Sequence, residues 1–466
     1  MRIIKSHKRK GRSYRKWHRL CVTFVCMDIF LLAGLVVSAG FARSELAGQG
    51  VAAAAQLQEP EVPEPQSQTE EAETAKSAGP SESESLGDSQ TLELESESVQ
   101  PSSEEETVEQ AASSGGAGTK EESSGQSSLT AEWDESHRLD RQLPALTASG
   151  LEIPVNGATG YAPVAMTLWT EISAEGAGAG AVAQLEPGDA FLILREEGEW
   201  WQVQAERGTG WVWHGCCMIN LPDVIPSIIY DATNSYNSLY RSSGKEIPGV
   251  TGQALYPGAA YNLRLDRDEY AMPMLYAAAK KVCAAQQAAL AQGNSLKIYE
   301  AYRPYFVQQA VIQGLSALAE SDPEVAAGVN TSPWHMGYFI ATGYSNHQRG
   351  IAVDVSLVKV TKTQTRTTGG VEYLQVTGYE EYRMPTQMHE LSMAAASTTG
   401  PGSRELAAGM NEPAAALRSY FEGAGMSPLE SEWWHFNDFA ARDRAGSYLS
   451  TGNFVIEGTL SRPPER

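Results

Sequence analysis

The pattern of apolar and polar residues divides the chain into three parts. Residues 20–42 are almost continuously apolar, residues 43–145 are rich in Glu, Ser, Gln, Ala, Gly and Pro, and apolar positions return at regular spacing after residue 150. An apolar run of this length can cross a bilayer as a helix, whereas a polar segment poor in aromatic and branched residues cannot bury enough surface to fold. The pattern therefore predicts a transmembrane helix, a disordered acidic linker and a folded carboxy-terminal part.

The first folded stretch, residues 150–222, has the pattern of short strands joined by tight turns. Apolar or alternating segments at 190–194, 200–204 and 210–213 are separated by Glu-Gly and Arg-Gly pairs. Short strands at this spacing predict a small all-β barrel. Its tryptophans are predicted to lie mostly in the core of that barrel, with a binding face as the alternative.

Beyond residue 225 the spacing changes to a mixture of helical and strand periods. Helices are predicted at 272–293, 305–323 and 413–422, the last behind an Asn411 cap. Strands are predicted at 295–304, 351–360, 371–376 and 432–437. Residues 225–460 are therefore predicted to form one α+β domain.

The distribution of charge predicts how the chain is oriented in the membrane and argues against one class of partner. Residues 1–19 contain nine Lys/Arg and no acid, so we expect this basic segment in the cytoplasm and the chain after residue 42 outside it. A cleaved signal peptide, and hence a secreted protein, is the alternative. After residue 42 there are 56 acids against 26 bases, which argues against nucleic acid as a partner because phosphate binding needs clustered cations.

The first candidate for chemistry is the segment "SNHQRGIAVDVSL", residues 345–357. His347 and Asp354 are seven residues apart, and Gly350 allows the chain to turn between them. In a strand beginning at residue 351, Asp354 faces away from the apolar Val353 and Val355. An imidazole and a carboxylate suit zinc, but two ligands do not complete a site.

The second candidate is "SEWWHFN", residues 431–437, in which acidic and basic groups lie among aromatic residues. Glu432 and His435 would each be unfavourable to bury without a partner, and both become reasonable if they converge on a cation. His347, Asp354 and His435 make up the three protein ligands of a catalytic zinc site. Glu432 is then left as a general base.

The third candidate is Arg303, in "YEAYRPYFVQQ", where a predicted strand meets Pro304. A guanidinium at the end of a sheet could stabilise the oxyanion that forms when water attacks an amide carbonyl. A structural salt bridge with Glu300 is an equally good interpretation of this segment.

These segments together resemble a known family. S-x-H-x-x-G-x-A-x-D at 345–354, E-W-W-H at 432–435 and A-Y-R-P at 301–304 resemble the zinc D-Ala-D-Ala peptidases, particularly the dipeptidases of the vancomycin-resistance type, in a family that also contains D,D-carboxypeptidases. The resemblance implies an α+β fold around a central antiparallel sheet, with one bound zinc.

The same resemblance implies a role for each matching residue. The zinc ligands would be His347, Asp354 and His435, and Glu432 would be the catalytic base. Arg303 would clamp the transition state. Ser345 and Glu300 would belong to the substrate-binding residues: Ser345 would help to hold the amino end of the substrate, and Glu300 would orient Arg303.

Two features of the sequence make the substrate harder to predict. "MPTQMHELS", residues 384–392, has His389 where dipeptidases tend to have an acid, and neither His389 nor His335 has a partner at ligand spacing in the sequence. The "EWWQV" and "GTGWV" segments resemble bacterial SH3-type domains, which often bind cell-wall peptides.

The sequence leaves three functions open. The motifs favour a D-Ala-D-Ala dipeptidase. The predicted extracytoplasmic location and the SH3-like barrel favour a D,D-carboxypeptidase or endopeptidase that acts on peptidoglycan stem peptides. A non-catalytic wall-binding protein is the third hypothesis, although binding alone would not need Glu432. The sequence makes no prediction of oligomeric state.

Overall fold

The computed structural model of the chain describes residues 130–456 and 458–465. The predicted basic segment (1–19), the predicted membrane helix (20–42) and most of the predicted linker (43–145) lie outside the described residues. Within the described ranges, no helix combines the length and the apolar character that a membrane span needs.

The described part of the chain contains two sheets that account for most of its strands. In chain order the strands are β1 (Thr159–Tyr161), β2 (Met166–Ile172), β3 (Gly178–Leu185), β4 (Ala190–Glu197), β5 (Trp200–Ala205), β6 (Gly208–Trp213), β7 (Met218–Asn220), β8 (Ile229–Tyr230), β9 (Arg241–Ser242), β10 (Lys245–Glu246), β11 (Ala260–Asn262), β12 (Arg267–Glu269), β13 (Pro273–Leu275), β14 (Asn294–Glu300), β15 (Ala352–Thr368), β16 (Val371–Glu381), β17 (Ser427–Leu429) and β18 (Glu432–Asn437). The strands predicted near 190–194, 200–204, 210–213, 351–360 and 371–376 are therefore present, most of them longer than predicted.

The first sheet is antiparallel and has eight strands in the order β13-β7-β1-β4-β5-β6-β2-β3. Seven of these strands come from the segment predicted to be a small barrel. The resemblance of this segment to SH3-type domains stays a prediction. The second sheet has the order β17-β18-β15-β14-β8, and β16 also pairs with β15. It is antiparallel except for the parallel pair β8–β14.

Six α-helices accompany the sheets in the described residues. They are α1 (Leu221–Val224), α2 (Tyr276–Ala291), α3 (Tyr305–Ser321), α4 (Pro323–Asn330), α5 (Glu412–Gly423) and α6 (Phe439–Ala445). Helix α5 begins as predicted, because the Asn411 side chain accepts a hydrogen bond from the backbone N–H of Ala414. Helix α2 ends before Gly293, which has a positive φ of 74° that suits glycine.

Helix α2 begins later than the sequence pattern predicts. Residues 273–275 continue the apolar pattern of the helix, but they form β13 and pair with β7. Here tertiary pairing overrides the local helical pattern, because Pro273 occupies an edge strand, where its missing N–H is tolerated. The predicted boundary near residue 222 is therefore crossed by a strand that joins the eight-stranded sheet from the second half of the chain.

One apolar core runs through both sheets. It includes Phe191 and Trp201 from the first sheet, Val355 and Phe436 from the second, and Val282 from α2, all fully or almost fully buried. A shared core of this kind makes the sheets one folding unit, since neither can expose its inner face to water without losing the burial of apolar surface.

The end of the predicted linker is already part of this unit. The backbone N–H of Ala131 bonds to the carbonyl of Glu381 at 2.8 Å, and Trp133 packs against Tyr382. His137 contacts the carbonyl of Val360 at 2.9 Å. Residues 131–137 thus contact the second sheet, although the sequence pattern assigns them to the linker.

Candidate active site

Three predicted metal ligands come together on the second sheet. Asp354 in β15 lies directly opposite His435 in β18, and side chains of directly opposed residues share one face of a sheet. His347 lies on the turn that precedes β15. The Oδ1 atom of Asp354 is 2.9 Å from Nδ1 of His435 and 3.2 Å from Nε2 of His347. The tertiary fold thus places three potential ligand atoms, all buried, within 4.8 Å of one another.

The remaining nitrogen of each histidine is held by a neighbour. Nδ1 of His347 donates to the carbonyl of Ala301 at 2.8 Å, and Nε2 of His435 pairs with Oδ1 of Asn437 at 3.0 Å. A neutral imidazole that donates from one nitrogen presents a lone pair on the other. In the neutral rings, Nε2 of His347 and Nδ1 of His435 then face each other at 3.1 Å as two acceptors.

This donor set fits a metal ion. Two lone pairs 3.1 Å apart cannot satisfy each other, whereas a cation beside them and beside the Asp354 carboxylate satisfies all three. Histidine ligands whose second nitrogen is bonded to a backbone or amide oxygen are the usual arrangement in metal sites. Two histidines and one carboxylate suit zinc and leave a coordination position open.

Electrostatics favour the ligand forms of His347 and Asp354 and oppose that of His435. Burial lowers the pKa of His347, which keeps its ring neutral. Burial would raise the pKa of Asp354, but His347, His389 and His435 hold it well below its usual range. Burial similarly opposes the charge on His435, yet Asp354 raises its pKa. Protons and a metal therefore compete at His435, and metal binding should weaken as pH falls.

Glu432 lies beside the three ligands at the beginning of β18. Its Oε2 atom is 3.6 Å from Nδ1 of His435. Residues three apart in a regular strand face opposite sides. The register of β17 with β18 shifts between Pro428 and Leu429, and a bulge of this kind turns a side chain towards the other face. The irregular strand thus brings Glu432 and His435 to one pocket.

The environment of Glu432 suits a group that exchanges protons. Its side chain is almost completely buried, and burial raises its pKa to about 8. The negative charge of Asp354 acts in the same direction, while the positive charges of His435 and Arg303 oppose it. A carboxyl with a pKa near neutrality can both accept and return a proton at physiological pH.

Arg303 forms the salt bridge with Glu300 and also lines the pocket, and its action on an oxyanion stays a prediction. Its Nε donates to Glu300 at 2.6 Å, one NH1 hydrogen goes to Gln308 at 2.7 Å, and NH2 contacts both Glu300 and Asp354. Arginine has five N–H groups, so these contacts leave one NH1 hydrogen without a partner among the described residues. Arg303 is therefore fixed by a salt bridge and still has a donor for a ligand in the pocket that it lines.

Glu300 lies directly beside Arg303, where the sequence segment places it. It is completely buried and accepts hydrogen bonds from Asn234, Tyr240 and Tyr256 in addition to Arg303. Burial would raise its pKa, but the charge of Arg303 and the nearby histidines lower it, so the carboxylate stays ionised. Glu300 does not line the pocket. Its contacts with Arg303 fix that side chain, and its role in substrate binding stays a prediction.

The pocket above these residues is small and has two kinds of wall. Its volume is about 140 Å³, well below the several hundred Å³ of sites that hold drug-sized ligands. One side carries the ligand cluster, Glu432 and Arg303, and Ser345 also lines the pocket. The apolar side is formed by Phe339, Ile340, Leu391, Leu429 and Trp434. The pocket therefore suits a small ligand that combines polar groups with short apolar side chains.

Ser345 lies where a hydroxyl can reach that ligand. Its backbone N–H donates to Oε1 of Gln348 at 2.6 Å, and its Oγ accepts a longer bond from the backbone N–H of Gln348 at 3.4 Å. Since Oγ acts as an acceptor in the turn, its own proton is free to point into the pocket. The side chain is nearly buried and lines the pocket, and its contact with a substrate stays a prediction.

His389 is part of the site, although the sequence analysis predicted no partner for it. Its Nε2 atom is 3.2 Å from Oδ2 of Asp354, and its ring stacks on Tyr240 with centroids 4.4 Å apart. Glu300, Asp354 and His389 form a second group with ligand atoms close together. The Arg303 guanidinium already contacts both carboxylates of that group, so a second cation there would meet a like charge. The one signal in the sequence was the substitution of His389 for an acid.

Comparison with known proteins agrees with the motifs. No protein-family model matches the chain. A D-alanyl-D-alanine dipeptidase from Escherichia coli is 31% identical to it over 187 residues, which cover 40% of this chain and 72% of the dipeptidase. A match at this level over most of the relative indicates common descent. The chain therefore belongs to the peptidase family that includes this D-alanyl-D-alanine dipeptidase.

Proposed function

We propose that this chain is a zinc-dependent peptidase that hydrolyses the bond between two D-alanine residues in peptidoglycan metabolism. The observation that carries the proposal is the convergence of His347, Asp354 and His435 beside Glu432 in one small pocket. Membership of a family that contains a D-alanyl-D-alanine dipeptidase supports the same reaction class.

The metal would be held by Nε2 of His347, Oδ1 of Asp354 and Nδ1 of His435. When bound, zinc polarises the scissile carbonyl and makes water a better nucleophile at neutral pH. The protein contributes the orientation of both imidazoles through Ala301 and Asn437. This orientation favours the neutral tautomers whose ligand nitrogens carry no proton.

Glu432 is the group that moves protons. Its carboxylate takes a proton from the attacking water and returns it to the leaving amine as the peptide bond breaks. Burial favours both steps, because it keeps the pKa of Glu432 close to neutrality in the metal-free chain. A nearby cation lowers this pKa and increases the fraction of the base form.

Arg303 stabilises charge on the substrate. Arg303 lines the pocket with one NH1 hydrogen left over, and its other donors are held by Glu300, Gln308 and Asp354. A donor that is already fixed needs no reorganisation when negative charge develops on the carbonyl oxygen. The buried Glu300 thus contributes through Arg303.

A second candidate, a D,D-carboxypeptidase, is favoured by the charges in the pocket. Among the described residues that line it, the acids are Asp354 and Glu432, and both have other roles. A free dipeptide carries an ammonium group that is unfavourable to bury without an anion. A stem peptide has an amide at the same position. His389, in the place of an acid, is consistent with the peptide substrate.

The location of the reaction is also part of the proposal. The basic segment and apolar run at the start of the sequence favour a single-pass membrane protein whose carboxy-terminal part lies outside the cytoplasm. Wall stem peptides are accessible on that side. The acidic segment 43–129 would then act as a spacer between the membrane and the folded part.

The proposal is tested by D-alanine release from two substrates. We expect the purified full-length chain with zinc to release D-alanine from free D-Ala-D-Ala, from a pentapeptide ending in D-Ala-D-Ala, or from both. Faster release from the pentapeptide would favour the carboxypeptidase, because only that substrate lacks the unpaired ammonium. L-Ala-L-Ala serves as the control. No release from either D-substrate by zinc-loaded protein would contradict the proposed function.

We expect Arg303→Lys to lower kcat by roughly 10²–10³-fold. Lysine has a single ammonium and cannot hold Glu300, Gln308 and Asp354 while it donates to the substrate. The variant should still bind zinc, since Arg303 is not a ligand. Steady-state kinetics and metal analysis measure the two effects. Arg366→Lys, at an exposed position on β15, is the matched control and should keep wild-type kcat. An unchanged kcat in Arg303→Lys would exclude Arg303 from stabilisation of the transition state.

A further inference from the structure

The turn that carries His347 lies directly on the eight-stranded sheet. Within the turn, the backbone N–H of Gly350 bonds to the carbonyl of His347 at 3.0 Å. The carbonyl of Gly350 accepts a hydrogen bond from the backbone N–H of Leu275, in β13, at 2.8 Å. Leu275 in turn pairs with Met218 of β7. A continuous chain of contacts thus connects the edge of the sheet to a predicted zinc ligand.

The contact at Gly350 is close. Gly350 has a φ of 69°, and a Cβ atom added there would lie 2.8 Å from the Met218 methyl carbon and 3.3 Å from the Leu275 nitrogen. Only glycine fits this backbone conformation and this spacing without displacing a neighbour. The Met218 side chain therefore forms the surface on which the turn rests.

A second contact joins the same sheet to the segment that carries Arg303. Gly188, between β3 and β4, packs against the ring of Phe454. Phe454 stacks on Tyr302 with ring centroids 4.9 Å apart, and its carbonyl accepts a bond from the Tyr302 hydroxyl at 2.9 Å. Tyr302 immediately precedes Arg303. The sheet therefore supports both the His347 turn and the segment that carries Arg303.

We infer that the eight-stranded sheet positions the metal site, and that Met218 and the backbone N–H of Leu275 are its positioning groups. The inference rests on the proposed zinc site. Nε2 of His347 must lie close to both Nδ1 of His435 and Oδ1 of Asp354, and a displacement of about 0.5 Å is enough to impair such a site. His435 and Asp354 are held by strand pairing in the second sheet, whereas His347 lies on a turn. The His347 ring is held by the carbonyl of Ala301, and the first sheet holds the backbone of the turn through the bond from Leu275 to Gly350.

The hydrogen bond from Leu275 can be removed with a matched pair of variants. Leu275 has a φ of −53°, which is compatible with proline. Leu275→Pro and Leu275→Ala both remove the leucine side chain, but only the proline variant also removes the N–H. The full-length variants are compared by zinc dissociation constant, from competition with a chelator. The melting temperature of the metal-free protein measures their stability.

We expect Leu275→Pro to bind zinc roughly 10-fold more weakly than Leu275→Ala, the lower end of the effect seen when an outer partner of a metal ligand is lost. Equal zinc dissociation constants in the two variants would overturn the inference for this hydrogen bond, whatever their stability.

A second pair tests the side-chain support and is available if the proline variant does not fold. Met218→Ala and Ile219→Ala remove similar buried volume from adjacent positions of β7, whose side chains point to opposite faces. We expect weaker zinc binding in Met218→Ala and wild-type zinc affinity in Ile219→Ala. Met218→Leu, which conserves volume, should restore the affinity. Equal weakening in both alanine variants would indicate general loss of stability and would overturn the inference.

The failure of this inference and that of the proposed function give different results. If the wild-type chain binds no zinc, the proposed metal site fails and the inference fails with it. If the wild-type chain binds zinc and both variant pairs bind it equally well, the inference alone fails and the proposed function stands.

Discussion

Replacing His435 by alanine is expected to abolish zinc binding and D-alanine release together. The change removes one of three protein ligands and leaves the Asp354 carboxylate and Nε2 of His347 beside an empty volume. Loss of an outer partner typically weakens metal binding about 10–100-fold, and loss of a direct ligand should exceed that. Metal analysis after dialysis measures zinc per chain, and the two D-substrates report activity.

His335→Ala is the control for this experiment. His335 is exposed and belongs to neither group of potential ligands in the described residues, so the variant should bind zinc and retain activity. Circular dichroism should show that both variants are folded. Stoichiometric zinc in folded His435→Ala would remove His435 from the metal site and require a different ligand set.

Glu432→Gln is expected to separate metal binding from turnover. Glutamine keeps the shape of the side chain but cannot accept a proton from water, so kcat should fall by about 10²–10⁴-fold. Zinc should stay bound, because Glu432 lies beside His435 and outside the ligand set. Single-turnover assays on the zinc-loaded variant distinguish this loss from weaker substrate binding.

Glu430→Gln carries the same chemical change two residues earlier in the chain. Its side chain lines neither the pocket nor the ligand group, so its kcat should match that of the wild type. If Glu432→Gln loses zinc, Glu432 is itself a ligand. If it retains both zinc and full kcat, another group is the base.

Asp354 links the proposed metal ligands to the residues that we propose act on the substrate. Its Oδ1 faces the two histidines, and its Oδ2 contacts Arg303 and His389. A carboxylate with both oxygens engaged has a fixed orientation. The position of a bound metal would therefore be coupled through one side chain to that of the Arg303 guanidinium, and changes at the two should be non-additive.

His389 distinguishes this pocket from the expected dipeptidase pattern. It has a positive φ of 62°, which is unusual for a residue with a side chain. Its ring is held between Tyr240 and Asp354. The pocket consequently has a histidine, already bonded to Asp354, at the position where dipeptidases tend to have an acid. This is why the pentapeptide arm of the substrate experiment is informative.

Local sequence was sufficient for several features. The period of apolar residues predicted α3, α5 and most of α2, and the alternating runs predicted β4, β5, β6, β15 and β18, because these patterns reflect which side of an element is buried. The candidate ligands could also be named, since histidines and acids among apolar residues are unfavourable without partners.

Other features depend on contacts between distant segments. Residues 273–275 have a helical pattern but form β13, because pairing with β7 is available there. Glu432 and His435 share a face only because of the register shift between β17 and β18. The contact between His389 and Asp354 joins residues 35 positions apart, and no periodicity within either segment indicates it.

The sequence by itself thus determined the types of residue available for chemistry, the main helices and strands, and the order of the motifs. The tertiary structure decided which nitrogen of each histidine faces the proposed metal site, how Glu300 holds Arg303, and that the eight-stranded sheet contacts the His347 turn. The physical reason is the distance along the chain over which each interaction acts. Burial and backbone preference act within a few residues and leave a periodic signal, whereas hydrogen bonds and close packing between segments leave none.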